Sequence, residues 1–540
     1  MRAGLILLAL AAAGLRLAGI SWGLPHAYNA DEPHIINLAL SFGAGTLRPY
    51  AFKYPTLWPY LLFFFYGFYF LFWSGLGLRR GIVDFIGLYA WEPAGFYLIA
   101  RALSAIFSLL GVAFIWKAQR EDNGQSYPWA ALLLTFSPVI VELAHSAKPD
   151  CLMFFFVCAA WYFALRVYRL GERRDYRLCG ASLGFAVSSQ YTALPVAVLL
   201  PLAHFLGRQK SSFSRLAEGT GLSAACFFLG SPFALIDFSA LRAGLNDHNE
   251  LFALTQWDGG EVLRSISLNV WSFAGVGSVA GLAAVLGLGL LCYKETKQAV
   301  VILGPIVLYI LMLSRNPDGG WPRYLLGCFP GLALLAAQGL SWLDRPQRPL
   351  MTVLLAATSF FPGMARSARM DREMRLPDTR AQAESWILSH IPKGSTLLLD
   401  EAHASPRLPM QREQVLQLME QTRRRGSPRA RLYQGMAQTH PGDGYRLLRI
   451  QRTARELHSA PRHVELSQAD SPVLDVRPGL DTARAARVEY VVTSSFGANP
   501  QISPELAVFF DELYGHAEFL RSFEPLPGQV AGPVLRVFAL

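Results

Sequence analysis

Apolar runs of roughly twenty residues, separated by short charged stretches, fill the chain as far as about residue 365, and each is long enough to cross a bilayer as a helix. From Arg366 onward the pattern is that of ordinary globular protein. Residues 1–365 therefore predict an all-α polytopic membrane domain, and residues 366–540 a small soluble α/β domain. In the second part Asp378 precedes a helical stretch over 380–390, and 396–399, 445–450, 488–493 and 534–540 read as strands. Residues 401–440 and 451–485, rich in Arg, Gln and Pro with no strong period, predict loops.

The charged stretches orient the crossings. Five of them are basic: 117–120, 169–177, 208–215, 294–297 and 345–348. Basic loops favour the cytoplasm, so an even number of crossings must separate each neighbouring pair. The chain supplies two each time: 128–144 and 151–168, 178–189 and 192–206, 218–236 and 266–292, 299–313 and 324–342. A last run, 350–365, carries the chain outward and leaves the tail outside. A first helix running outward then demands an odd number of crossings over 22–116, where two apolar runs lie, 57–78 and 96–116. The first is crowded with aromatic residues, among them Trp58, Tyr60, Phe63, Phe64, Phe65 and Tyr66. Aromatic side chains favour the membrane interface, so 57–78 is expected to be juxtamembrane or re-entrant, giving about eleven crossings. In the competing arrangement both runs cross and one basic loop breaks the charge rule.

Composition agrees with the split. Hydrophobic residues make up 52% of the 540 and charged residues 16%. The net charge of +10 does not indicate nucleic acid, because much of the basic charge in the first part sits in short loops between apolar runs. The six cysteines all lie in or beside those runs without metal-ligand spacing, and the tail has none to pair. Residues 2–20 have the look of a secretory leader, but the many spans that follow favour an uncleaved first helix.

With this topology the unexplained polar residues fall on one side. Asp31, Glu32, His34, Lys53, Arg101, His145, Asp150, Gln190, Tyr191, Arg323 and Tyr324 are all placed at outer helix ends or in outer loops. In Asn29-Ala30-Asp31-Glu32-Pro33-His34, Pro33 suits the first helical position, which makes Glu32 the cap, and Glu caps poorly. Adjacent carboxylates near a membrane instead suggest a general base for an acceptor hydroxyl. Lys53, in Phe52-Lys53-Tyr54-Pro55, stands before a Pro-initiated helix whose free N–H groups favour phosphate; snorkelling to lipid headgroups explains it equally well. Arg101 lies inside a span, where an unpartnered charge is costly, and is a second phosphate candidate. Arg16, in the first helix, is expected to be structural. His145-Ser146-Ala147-Lys148-Pro149-Asp150 forms a tight outer turn. Asp247, His248 and Glu250, with Trp257-Asp258, mark a polar outer loop suited to sugar or acceptor, or simply to solvent.

Taken in order, these motifs resemble those of the GT-C glycosyltransferases, above all the protein O-mannosyltransferases and the lipid A aminoarabinose transferases. The resemblance covers residues 1–365: the acidic pair, Lys53-Tyr54-Pro55, Arg101-Ala102-Leu103-Ser104, Asp150, Gly184 with Gln190-Tyr191, and Arg323-Tyr324-Leu325 with Pro330. It implies a polyprenyl-phosphate-linked sugar donor, an inverting transfer and a bacterial inner membrane location. In that family the first-loop carboxylate is the base and a Lys and an Arg contact the carrier phosphate, which maps to Asp31, Lys53 and Arg101. Glu32 and Asp150 are further candidates for catalysis, Arg323 and Tyr324 for the phosphate, and His34, His145, Gln190 and Tyr191 for sugar or acceptor. Relatives often carry Lys where this chain has Gln190, so one phosphate contact departs from the pattern. A divalent metal held by Asp31 and Asp150 stays open, as does the acceptor. A transporter or lipid flippase is the rival; it calls for charged relays deep in several helices and paired broken spans, whereas the ionisable residues here gather at one face. Phosphate-binding loops, zinc-protease helices, nucleophile elbows and dinucleotide fingerprints are missing from the sequence.

Overall fold

The computed structural model describes residues 2–77, 81–123, 127–244, 259–316, 320–344, 349–400, 403–427, 429–451, 471–496 and 504–540. Its residues fall into two compact units. The first comprises Met1–Ile20, Ala51–Leu61 and Ala100–Asp371, and the second Ser21–Tyr50, Leu62–Ile99 and Arg372–Leu540.

The first unit is helical. Among the described residues of the whole chain, four helices are long and apolar enough to cross a bilayer: Leu57–Gly75, 94–121 within Ala94–Asn123, Asp150–Leu170 and Ser278–Leu313. Five shorter apolar helical stretches accompany them. Several expected spans are interrupted where the sequence places proline. The run 128–144 is two helices, Trp129–Thr135 and Pro138–Ala144, because Pro138 cannot extend the preceding helix. The run 192–206 begins as a 3-10 helix, Tyr191–Val198, around Pro195 before Leu199–Leu206 becomes regular. The expected 266–292 span is divided between Gly259–Trp271 and a helix that starts only at Ser278, and 350–365 between Pro349–Ser359 and Phe361–Glu373.

Helices of this unit approach closely through glycine. A Cβ on Gly287 would collide with the Leu335 carbonyl, and one on Gly339 with the Ala283 carbonyl, so Ser278–Leu313 and Phe329–Leu343 meet backbone to backbone. Small residues at such seams are how helices associate where no hydrophobic drive separates them from lipid.

Each long helix here has two chemically distinct ends. Four of the basic loops come together through ion pairs: Arg166 with Glu121 (3.1 Å) and Asp175 (2.9 Å), Arg173 and Arg177 both with Glu218 (2.6 Å each), and Arg208 with Glu295 (2.6 Å). Glu295 has non-helical backbone angles and kinks the Ser278–Leu313 helix at its 294–297 loop. Loop 345–348 lies outside the described residues. Asp150 and Arg101 sit toward the opposite ends of their helices from these pairs, and Gln190 follows the far end of Arg173–Ser189.

The second unit contains a six-stranded sheet ordered β3-β2-β1-β4-β6-β5. Its strands are β1 (Thr396–Leu399), β2 (Arg446–Ile450), β3 (Val473–Leu474), β4 (Tyr490–Ser494), β5 (Glu518–Phe523) and β6 (Leu535–Ala539). β1 to β4 run parallel, and β6 and β5 add an antiparallel edge. Side chains alternate between the two faces: Leu397 and Leu399 enter one apolar cluster with Ala383 and Ile387, while Leu398 enters another with Phe509 and Leu513. Burial on both faces explains why the strands read as continuous apolar runs. Asp378 caps Thr379–His390, its carboxylate accepting from Arg380 N–H at 2.9 Å. The expected loops over 401–440 instead hold two helices, Arg412–Arg424 and Arg429–Gln438. Their apolar positions are few and their polar faces arginine-rich, which hid the helical period.

Residues 21–50 and 82–91 pack with this tail. Arg407 donates to the Pro25 (3.0 Å) and Ala90 (2.7 Å) carbonyls, Arg431 donates to the Ala44 carbonyl, and Trp91 Nε1 donates to Thr439 Oγ1. The Arg380 guanidinium lies 3.3 Å from the Tyr28 ring centroid.

Candidate active site

The first unit holds Lys53, Arg101, His145, Asp150, Gln190, Tyr191, Arg323 and Tyr324. Arg101, Ser104 and Ser108 share one face of the Ala94–Asn123 helix, at i, i+3 and i+7. Arg101 is fully buried and donates to the Ile20 carbonyl at 2.8 Å; Ser104 donates to the Lys148 carbonyl at 3.5 Å. Ser108 accepts from Arg16 Nε (2.7 Å), and Arg16 Nη1 reaches the Ala12 and Thr135 carbonyls, which fits the structural role expected of it. The 145–150 turn is held from the other side by Trp58, whose Nε1 donates to the Ala147 carbonyl at 2.8 Å.

His145 turns inward. Its Nδ1 stands 2.8 Å from the Val141 carbonyl and its Nε2 2.8 Å from the Ala18 carbonyl, with the Asp371 carboxylate 3.8 Å away. Both ring nitrogens are thus engaged with backbone.

Lys53 is exposed at the head of a segment that is pinned at two places. Thr56 donates through its hydroxyl to the Gly230 carbonyl (2.9 Å) and through its N–H to Ser231 Oγ (3.2 Å), and Ser231 Oγ meets Ser188 Oγ at 2.8 Å. Phe52 packs beside Tyr191 and Phe227. Lys53 thereby joins the end of the Arg173–Ser189 helix, where Gln190 and Tyr191 follow. The helix behind it starts at Leu57, so Pro55 precedes the first turn and Pro59 falls within it, and the Thr56 N–H is already bound.

Arg323 and Tyr324 lie on a 3-10 turn, Pro322–Leu325, that packs against Pro138–Ala144. Arg323 Nη2 donates to the Tyr324 hydroxyl (2.9 Å), and its guanidinium sits 4.8 Å from that ring's centroid. Among the described residues, Asp150 Oδ1 and Gln190 Oε1 are buried without a hydrogen-bond partner. Buried polar atoms of that kind are uncommon, and a ligand is one explanation for them. Glu142, one polar residue within an apolar run, is exposed on the Pro138–Ala144 helix, which packs against the Arg323 turn and the Asp150–Leu170 helix.

The acidic pair belongs to the second unit. The helix there is Asp31–Ser41, so Asp31 and Glu32 are its first two residues and Pro33 its third, not its first. Proline is accommodated because the first N–H groups of a helix lack intrahelical acceptors in any case. The Asp31 N–H donates to Asn29 Oδ1 (3.0 Å) in a local turn, and the cap residue itself, Ala30, makes no side-chain cap bond. Asp31 is half-buried, whereas Glu32 is completely buried. His34 is also buried, edge-on to Tyr50, and Asn37 Oδ1 accepts from the Tyr89 hydroxyl at 2.5 Å. Asp247, His248 and Glu250 lie outside the described residues. Among the described residues no three His, Cys, Asp or Glu side chains stand together as metal ligands.

Residues 97–235 match the family model for dolichyl-phosphate-mannose-protein mannosyltransferase. No curated protein sequence matches the chain. Among solved structures, ArnT from Cupriavidus metallidurans bound to undecaprenyl phosphate aligns with a TM-score of 0.54 at 14% identity, over 99% of this chain and 98% of that one. Its apo state gives the same values. The oligosaccharyltransferase of Archaeoglobus fulgidus, tethered to an acceptor peptide, aligns at 0.47 and 11% identity, over 91% of this chain and 68% of that one. The chain thus shares the fold of ArnT, and its residues 97–235 are similar to a family of protein mannosyltransferases.

Proposed function

We propose that the protein moves a sugar from a polyprenyl-phosphate carrier to a hydroxyl-bearing acceptor at the outer face of the membrane, with inversion at the anomeric carbon. The observation that carries this reading is the polar end of the first unit, where buried Arg101, the Arg323–Tyr324 pair and Lys148 accompany a buried, unpartnered Asp150 oxygen. The undecaprenyl phosphate held by ArnT, whose fold this chain shares, supports a carrier of that class.

In the proposed reaction Asp31 takes the acceptor proton and the freed oxygen attacks the anomeric carbon. The bond from that carbon to the phosphate oxygen breaks, and its electron pair stays on the carrier. Lys53, Arg101 and Arg323 stabilise the charge that develops there, a contribution that grows in a site shielded from water. Asp150 and Gln190 orient the sugar, with Tyr191 beside them. His145, with both nitrogens on backbone carbonyls, serves as a post that holds the 145–150 turn. The isoprenoid chain takes the apolar groove formed by Leu263, Ile266, Val270, Trp271, Phe273 and Ile310. One wall of that groove is the Gly259–Trp271 helix, whose Ser265 and Asn269 bond the Gly320 carbonyl just ahead of the Arg323 turn. About eleven crossings, with 57–78 not crossing, put this end outside. A flippase reading has no comparable support, since the charged groups gather at helix ends.

The test is chemical. Envelope glycolipids and glycoproteins from a deletion strain, analysed by mass spectrometry, should lack one sugar that the intact gene restores and an Asp31→Asn gene does not. Identical profiles in all three strains exclude the assignment.

A further inference from the structure

The helix Pro138–Ala144 buries Val139, Ile140, Val141, Leu143 and Ala144 and exposes Glu142. A carboxylate alone on the open side of an otherwise buried helix faces whatever its neighbours present. Four elements pack against that helix. The Pro322–Leu325 turn contributes Arg323 and Tyr324, and Asp150–Leu170 contributes Asp150. Arg2–Leu17 contributes Arg16, which is turned toward Ser108 and two carbonyls, and Trp129–Thr135 has no ionisable residue. The turn that follows adds His145, engaged with backbone, and Lys148. Packing of the Pro322–Leu325 turn and of the Asp150–Leu170 helix against Pro138–Ala144, with the 145–150 turn between, brings Arg323, Asp150 and Lys148 to the element that carries Glu142. Of the two carboxylates there, one has a buried oxygen, Asp150 Oδ1, without a hydrogen-bond partner among the described residues.

We propose that Glu142 determines which phosphate ester this end of the molecule retains: it disfavours the carrier phosphomonoester left after transfer relative to the phosphodiester donor, and so promotes product release. The inference rests on the reading of this site as the carrier-phosphate site. The donor is a phosphodiester with a single negative charge. When the anomeric carbon leaves, the electron pair remains on the phosphate oxygen, and the product is a monoester that carries a second charge above a pKa of about 6. Lys148 and Arg323 accommodate the first charge with Glu142 in place. The second charge meets the Glu142 carboxylate as a like charge and is repelled.

The experiment uses the full chain in detergent at pH 8 and two probes, undecaprenyl phosphate and its sugar-free methyl diester, with affinities read by calorimetry. Removing one unit charge from beside the phosphate should tighten the monoester by about tenfold in Glu142→Gln and leave the diester within about threefold. Glu142→Asp, which keeps the charge, should retain the wild-type ratio. Wild-type protein must itself hold the diester at least as tightly as the monoester, a requirement that stands even if the variants fail to fold. A wild type that prefers the monoester, or a Glu142→Gln protein with an unchanged ratio, overturns the inference and leaves the phosphate site standing. Wild-type protein that binds neither probe removes the site, and this inference with it.

Discussion

Asp31 and Glu32 are neighbours in sequence with opposite surroundings: the first is half-exposed at a helix start, the second completely buried. Only the first can meet a substrate without local opening, so Asp31→Asn should abolish transfer in folded protein while Glu32→Gln retains part of it. Purified variants assayed with a polyprenyl-phosphate sugar decide the matter, and near-wild-type turnover by Asp31→Asn would eliminate the proposed base. For the phosphate, a charge-assisted contact is worth ~1.5–3 kcal/mol, so Lys53→Ala and Arg101→Ala should each lower kcat/KM by roughly ten- to a hundredfold. Arg101→Lys should recover little, because Arg101 also holds the Ile20 carbonyl through its fork. Further from the site, burial raises Glu384 from 4.5 to about 7, and burial lowers His26, 3.1 Å from it, from 6.5 to about 4. A carboxyl raised on folding loses its contribution as pH climbs through 7. An imidazole lowered on folding loses its own as pH falls through 4. Their slopes oppose each other between about 4.5 and 6.5, so the stability of the second unit should be flat there and fall from about 6.5 to 7. Glu384→Gln should convert the flat region into a rise with pH; pulse proteolysis across that range reads it, and parallel curves for both proteins would refute the pairing. Single residues were unevenly legible in the sequence. The acidic pair, Lys53 and Arg101 announce themselves by cost, whereas Glu142 is one polar letter in Pro138-Val139-Ile140-Val141-Glu142-Leu143-Ala144 and gives no sign until the fold sets Arg323 beside it.

Elements were easier to read than their interruptions. Hydrophobic runs located nearly every helix of the first unit, because burial in lipid or protein imposes the same apolar length. Where proline intervened, at Pro138 and Pro195, the run stayed apolar and the break was invisible, whereas the kink at Glu295 falls in the 294–297 stretch read as a basic loop. In the tail β1, β2, β4 and β6 were legible from β-branched and Leu-rich runs, but β3, β5 and the helices Arg412–Arg424 and Arg429–Gln438 were not. The glycine seam yields a prediction at this scale. Gly339→Val places side-chain atoms against the Ala283 carbonyl, and overpacking of this kind typically costs ~1–3 kcal/mol. The variant should melt several degrees lower in detergent, while Gly289→Val, at a position open to space, should not. The Leu57–Gly75 helix gives another: if it does not cross, a cysteine at Arg79 is labelled from the outside, and labelling from the cytoplasm alone would rule out the re-entrant arrangement.

At the scale of the molecule, the charge pattern foretold that helices would share a basic end, and the ion pairs that join four of those loops follow that polarity. Such exposed pairs contribute little stability each; they mark where the helix ends meet. Sequence gave no hint that residues 21–50 and 62–99 would pack as one unit with 372–540, since contacts such as Arg407 to Pro25 and Ala90 span more than 300 positions and leave no local pattern. Truncation after Asp371 should therefore abolish transfer even though no proposed chemical group lies beyond it, and fragment 372–540 supplied separately should restore activity only if it rebinds the loop.

That same partnership sets a clock during synthesis. The segment bearing Asp31 is translated long before the helices and sheet that bury its neighbours. At ~5–20 residues per second, nearly 500 residues separate the two events by roughly 25–100 s. Throughout that interval the acidic loop is still unsupported, so an activity that depends on Asp31 should appear only once β6 has been made rather than grow as the chain lengthens.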